Sequence, residues 1–148
     1  MSSSVHKDTF NVIMMHKLPP HLSMDEWVAK RESLVNEALS LPVVQKNLVK
    51  CEIIIQNELF DDHFKVFGLP KRDPVLFVAL RSETAEQLYA ILADAEVRRI
   101  FERGKEAGSQ SYGFSVDIVA KINKQALSNG VNTFFVYNVP PPSVFGAT

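Results

Sequence analysis

Apolar positions along this chain fall into blocks whose period switches between two and about 3.6. Phe10-Asn11-Val12-Ile13-Met14-Met15-His16 is a short apolar run halted by Leu18-Pro19-Pro20, which predicts a buried strand rather than a helix. Ser23-Met24-Asp25-Glu26 has the form of a capping box, hydroxyl first and carboxylate three residues on. It predicts a helix running to about Leu41 and stopping at Pro42. Met24, Trp27, Val28, Leu34, Val35 and Ala38 recur on one face of it, with Arg31 in the middle of the stripe. Residues 47–58 read as a second strand, with Val49, Cys51, Ile53 and Ile55 alternating and Ile53-Ile54-Ile55 β-branched. A long connection, 59–74, carries Gly68, Pro70 and Pro74, and 75–80 is apolar on both faces, as an inner strand is. Thr84-Ala85-Glu86-Gln87 is a second capping box, and the helix behind it is expected to bury Ala85, Leu88, Tyr89, Ile91, Leu92 and Ala95. A further amphipathic turn over 97–105 carries Ile100 and Phe101 and ends at Gly108. Alternation over 113–122 marks the last strong strand.

The order β-α-β-β-α-β, with right-handed crossovers, predicts an α+β ferredoxin-like sandwich: four antiparallel strands with both helices on one face. Residues 8–122 then form the domain and 123–148 a C-terminal extension, in which 131–137 is expected to add an edge strand and Pro140-Pro141-Pro142 a stiff stop. The helix-free face of such a sheet is polar when it meets water. Here Ile13 and Met15 oppose Val12 and Met14, and Phe77 and Ala79 oppose Val78 and Leu80, so both faces are apolar. Leaving one bare forfeits many kcal/mol at about 25 cal/mol per Å2, and a homodimer is the expected remedy.

Composition narrows the picture further. Of 148 residues, 46% are hydrophobic and 22% charged, which fits a globular domain and excludes a wholly disordered chain. No apolar run approaches the roughly 20 residues of a spanning helix, so no membrane association is expected. Sixteen basic and seventeen acidic residues leave a net charge of −1, with no basic run to attract nucleic acid. Cys51 is the single cysteine, which excludes a disulfide framework and fits a reducing compartment; its place in an apolar strand marks it as a small core residue. The first eight residues are polar, without the apolar core of a secretory signal, and a cytoplasmic location is expected. There is no phosphate-cradling glycine loop, paired-cysteine motif or nucleophile elbow, and six glycines leave little room for a dinucleotide fingerprint.

A few residues stand out chemically. His16 ends the first strand on the Phe10–Val12–Met14 face, as a general base near neutral pH or as a solvated strand-end histidine. Arg31 interrupts an apolar stripe, where a permanent cation needs a structural partner, a pocket opening onto an anionic substrate, or a snorkelling path to water. Asn11 and Asp117 interrupt inner strands that should be neighbours, and are expected to meet on one face, lining a polar pocket or fixing register across a dimer. Tyr112 precedes the last strand and offers a phenol to orient a substrate oxygen. The 59–74 loop mixes three phenylalanines with Asp61, Asp62 and His63, as a gate over a pocket or as a solvated loop pinned by its aromatics. Adjacent side chains rarely converge on one ion, so no metal is expected. Met14 and Trp27 are expected in the pocket wall.

The Phe10–His16 block, the capped helix Leu22-Ser23-Met24-Asp25-Glu26-Trp27 and the 113–122 strand resemble the EthD-like branch of the dimeric α+β barrel superfamily, over residues 8–122. The resemblance implies small homodimers whose sheets close face to face, each with a small-molecule pocket between sheet and helices. That superfamily holds polyketide cyclases, dehydratases, decarboxylases, haem-handling enzymes and members without assigned activity. A histidine often found two turns after the aromatic of its first helix is missing here, where Leu34-Val35-Asn36-Glu37 stands. The function expected is a cofactor-free lyase, cyclase or dehydratase acting on an aromatic or polyketide-like molecule. His16 is its acid/base, Asp117 and Tyr112 orient the substrate, and Arg31, Asn11, Trp27, His63 and Met14 bind it. A non-catalytic small-molecule binder and a dimeric structural protein are the alternatives. Haem handling is the weakest, since neither helix offers an axial histidine.

Overall fold

A computed structural model describes residues 4–5, 9–105 and 110–121 of the chain. Its elements are β1 (Ser4–Val5), β2 (Phe10–Lys17), α1 (Met24–Leu39), α2 (Pro42–Asn47), β3 (Lys50–Ile55), α3 (Asp61–Phe64), a 3-10 turn (Lys65–Phe67), β4 (Val75–Ser82), α4 (Ala85–Ala93), α5 (Ala95–Arg103), β5 (Ser111–Val116) and β6 (Val119–Ala120). The main sheet has the order β3-β4-β2-β5, antiparallel throughout, which is the ferredoxin-like α+β arrangement that the pattern predicts.

Both capping boxes form. Ser23 Oγ accepts from Glu26 N at 3.2 Å, and Ser23 N donates to a Glu26 carboxylate oxygen at 2.9 Å. Thr84 Oγ1 accepts from Gln87 N at 3.2 Å, and Thr84 N donates to Gln87 Oε1 at 3.1 Å. These bonds satisfy amide donors that the first helical turn leaves open, and so fix where α1 and α4 begin.

Register sets the two faces of the sheet. Val12 lies opposite Leu80, Met14 opposite Val78 and His16 opposite Leu76, while Cys51 and Ile53 continue this face onto β3. Trp27 of α1 seals against Leu76 and Val78 here, with Met24, Val28 and Val35 around it. Ile13, Met15, Ile54, Phe77 and Phe114 share the opposite face, to which the described helices contribute nothing of that core cluster.

The structure corrects several expectations of detail. Pro42 does not merely stop a helix: α1 ends at Leu39, and Pro42 opens α2 at its first helical position, where its missing N–H costs nothing. The 59–74 connection folds into α3 and a 3-10 turn closed by Gly68 at φ 70°. Asp94 splits the later helical stretch, ending α4 in an extended conformation while its carboxylate accepts from Glu96 N and Val97 N to start α5. α5 ends at Gly104, not Gly108. On α4 only Leu88 and Ile91 are buried; Ala85 is half-buried, and Tyr89 (68% exposed) and Leu92 are exposed, because so short a helix presses a single narrow stripe onto the sheet, while Ala95 opens α5 and is exposed. The last strand breaks after Val116 and resumes as β6 paired with β1. From the Asn11–Val116 pair to the Val5–Val119 pair, six steps on one side face three on the other, so one continuous ladder is impossible. The edge strand expected over 131–137, and the whole 123–148 extension, lie outside the described residues.

Candidate ligand cavity

A cavity of about 1270 Å3 runs between the helices and the sheet. β2 lines it with every residue of one face, Phe10, Val12, Met14 and His16. α1 lines it from Arg31 to Leu39, and α4 and α5 add Leu88, Ile91, Ile100 and Phe101. Most of this wall is apolar. Tyr89, Leu92, Phe101 and Phe10 are exposed and mark its mouth, and β5 borders it along the sheet edge.

Among the described residues, His16 and Arg31 are the two buried ionisable side chains in the wall, 2% and 7% exposed. His16 stands at the C-terminal end of β2, directly across from Ser111 on β5, and its Nδ1 is 2.7 Å from Ser111 Oγ. Burial, reinforced by the charge of Arg31, lowers its pKa to about 4, so the imidazole is neutral at pH 7. Arg31 donates from Nη2 to the Gly104 carbonyl at the end of α5, at 2.9 Å. A Cβ at Gly104 would stand 2.9 Å from Leu34 Cδ1 and 3.0 Å from Arg31 Nη1, so any larger residue there makes the ends of these two side chains shift.

The other expected site residues disperse. Met14 lines the cavity. Asp117 is exposed on its rim, beyond the end of β5, six residues from Ser111 and hence from His16. Asp117 does not meet Asn11, which pairs with Val116. Phe10 and Phe114 lie on opposite faces of the sheet, so a register that puts them together is off by one residue and turns Asn11 away from Asp117. Asn11 Oδ1 instead accepts from Arg81 Nε at 2.9 Å, and its Nδ2 has no partner among the described residues. Tyr112 is exposed on the helix-free face, its hydroxyl 3.3 Å from Gln110 Oε1, and so does not act beside His16. Trp27 is a core residue outside the cavity wall, with its indole N–H unpartnered among the described residues. His63 is exposed on α3, with its ring edge-on to Phe60, away from the cavity.

Ser111 and Gly104 were not legible as site residues. Ser111 emerges only from cross-strand register. Gly104 carried one readable signal, as the first glycine after an amphipathic stripe. Cys51 lies half-buried in the wall, and burial pushes its thiol pKa up, as suits a packing residue rather than a nucleophile. No described helix is long and apolar enough to cross a membrane.

No family model matches this chain, and no curated protein matches it in sequence. Among solved structures, SnoaB, a cofactor-independent oxygenase from Streptomyces nogalater, superposes with a TM-score of 0.50 at 11% identity, over 82% of this chain and 99% of that one. A conserved protein of unknown function from Bacteroides thetaiotaomicron, described as a possible oxidoreductase, gives a TM-score of 0.52 at 8% identity, over 75% of this chain and 98% of that one. At such identities the likeness is one of fold, and the strand order gives this chain a ferredoxin-like α+β architecture.

Proposed function

We propose that this chain is a cofactor-free enzyme of lyase type, a cyclase, dehydratase or decarboxylase, acting on an aromatic or polyketide-like molecule held in the cavity. The observation that carries this reading is the convergence of His16 and Arg31 on one region of a mostly apolar wall. Because Nδ1 of His16 is engaged by Ser111, Nε2 is the nitrogen left for a ligand. Proton removal from a carbon beside a carbonyl makes an imidazolium and an enolate together. Burial and the Arg31 charge disfavour the imidazolium, but the enolate supplies the negative charge that offsets it and is itself stabilised by the Arg31 cation. The cofactor-independent chemistry named for SnoaB supports a reading in which the protein groups suffice.

The test is product formation from candidate polyketide substrates. His16→Ala should lower turnover by roughly 10^2 to 10^4 with oligomeric state unchanged. Full activity in that variant refutes the assignment. Binding without turnover is the second reading, favoured by the weak basicity of a histidine whose pKa is lowered to about 4. Saturable binding without product identifies it.

A second copy of the chain is the proposed partner, docking on the helix-free face through Ile13, Met15, Ile54, Phe77 and Phe114. In a cytoplasmic setting, as proposed here, Cys51 stays a free thiol. The Asn11–Arg81 pair is a polar pair on that face, beside the Lys50–Glu52 ion pair, that would fix register between the copies.

A further inference from the structure

We infer that the cavity takes an extended, single-chain amphiphile, a linear acyl compound whose carboxylate lies by His16 and Arg31 and whose apolar chain runs along β2. This rests on the reading of the cavity as a ligand site; of the ligand classes proposed for it, it keeps the open-chain, polyketide-like one and sets the aromatic one aside.

The argument is one of shape and polarity along a line. β2 lines the cavity from Phe10 to His16, six steps or about 20 Å at the rise of an antiparallel strand. α1 follows β2 through a short connection and accompanies it, lining the cavity from Arg31 to Leu39, about 12 Å along its axis. The cavity is therefore long in the strand direction. His16 and Arg31 mark one end of that line. Beyond them the wall is Val12, Met14, Cys51, Val35, Ala38, Leu80 and Leu88, without a charged side chain among the described residues until the rim. A compact ring system filling the polar end leaves the Ala38–Leu88 stretch empty. A linear chain occupies both: fully extended it advances about 1.2 Å per bond, so some sixteen bonds span the β2 wall.

The experiment measures binding of straight-chain carboxylic acids of eight to sixteen carbons, kept below their micelle concentrations, and of anthracene carboxylic acid, by calorimetry with the full chain. Affinity should rise roughly tenfold per two methylenes through sixteen carbons, as expected for burying each methylene. Ala38 stands seven residues beyond Arg31, about 10 Å along α1, so Ala38→Phe should block the line partway. In that variant the gain should cease near eight to ten carbons, while octanoate binds as before. If Ala38→Phe does not fold by circular dichroism, Ala38→Leu and the wild-type chain-length series decide. A plateau at eight carbons in the wild type, or anthracene carboxylate binding as tightly as hexadecanoate, overturns the extended-chain inference and leaves the cavity a ligand site. Binding of neither class overturns both.

Discussion

Protonating His16 works against the fold, and the size of that effect follows from its surroundings. The imidazole is 2% exposed, and its pKa falls from 6.5 to about 4 through burial first and the Arg31 charge second. Between these values the unfolded chain binds a proton that the native chain does not, so stability rises with pH there. The contribution is fully present above pH 6.5 and is lost as pH falls towards 4. At 1.36 kcal/mol per pH unit the whole shift corresponds to about 3 kcal/mol, of which about 2 kcal/mol should disappear between pH 7 and pH 4.5. Urea unfolding of the wild type and His16→Gln at both pH values isolates the term, because all other titrating groups cancel in the double difference. The wild type should lose about 2 kcal/mol more than the variant on acidification. Equal losses would refute the assignment of a buried neutral imidazole, as would a His16 ring resonance titrating near pH 6.5.

Three further outcomes are expected. Gly104→Ala should cost about 1 kcal/mol, since the ends of the Leu34 and Arg31 side chains must yield, and should raise the His16 titration midpoint as the guanidinium is displaced; an unmoved midpoint would separate Arg31 from His16. Ser23→Ala should destabilise by about 1 kcal/mol in chemical denaturation through loss of the α1 cap, and a Thr replacement should restore most of it. Met15→Glu places a charge in the middle of the helix-free face and should convert a dimer to a monomer in sedimentation; a wild-type chain that already sediments as a monomer at micromolar concentration defeats the proposed partner.

The elements that the sequence made legible are those with local causes. Ser23 and Thr84 sit three residues before a Glu and a Gln, and both helices start there. Strand order followed from element order, because short connections leave few topologies. What stayed hidden depends on distance in sequence. The pairing of Asn11 with Val116 rather than Asp117 is a matter of one residue of register, and it dissolved the expected polar pair. Tyr112 is next to Ser111 in sequence yet points through the other face, so proximity along a strand misled where alternation decides. Likewise Tyr89 and Leu92 read as core because they are apolar, but they stand at the cavity mouth. His16 and Arg31 were visible individually, as polar residues breaking apolar patterns, whereas their shared cavity required the third dimension.

The carbonyl of Gly104 ties the cavity's chemistry to its doorway. Phe101, at the opening, and Gly104, which holds the guanidinium, are three residues apart on one rigid lever, α5 and its cap. Any displacement of α5 would carry Phe101 and the Gly104 carbonyl with it together. The cavity's entrance and one hydrogen bond to its buried cation thus belong to the same nine-residue helix and its cap.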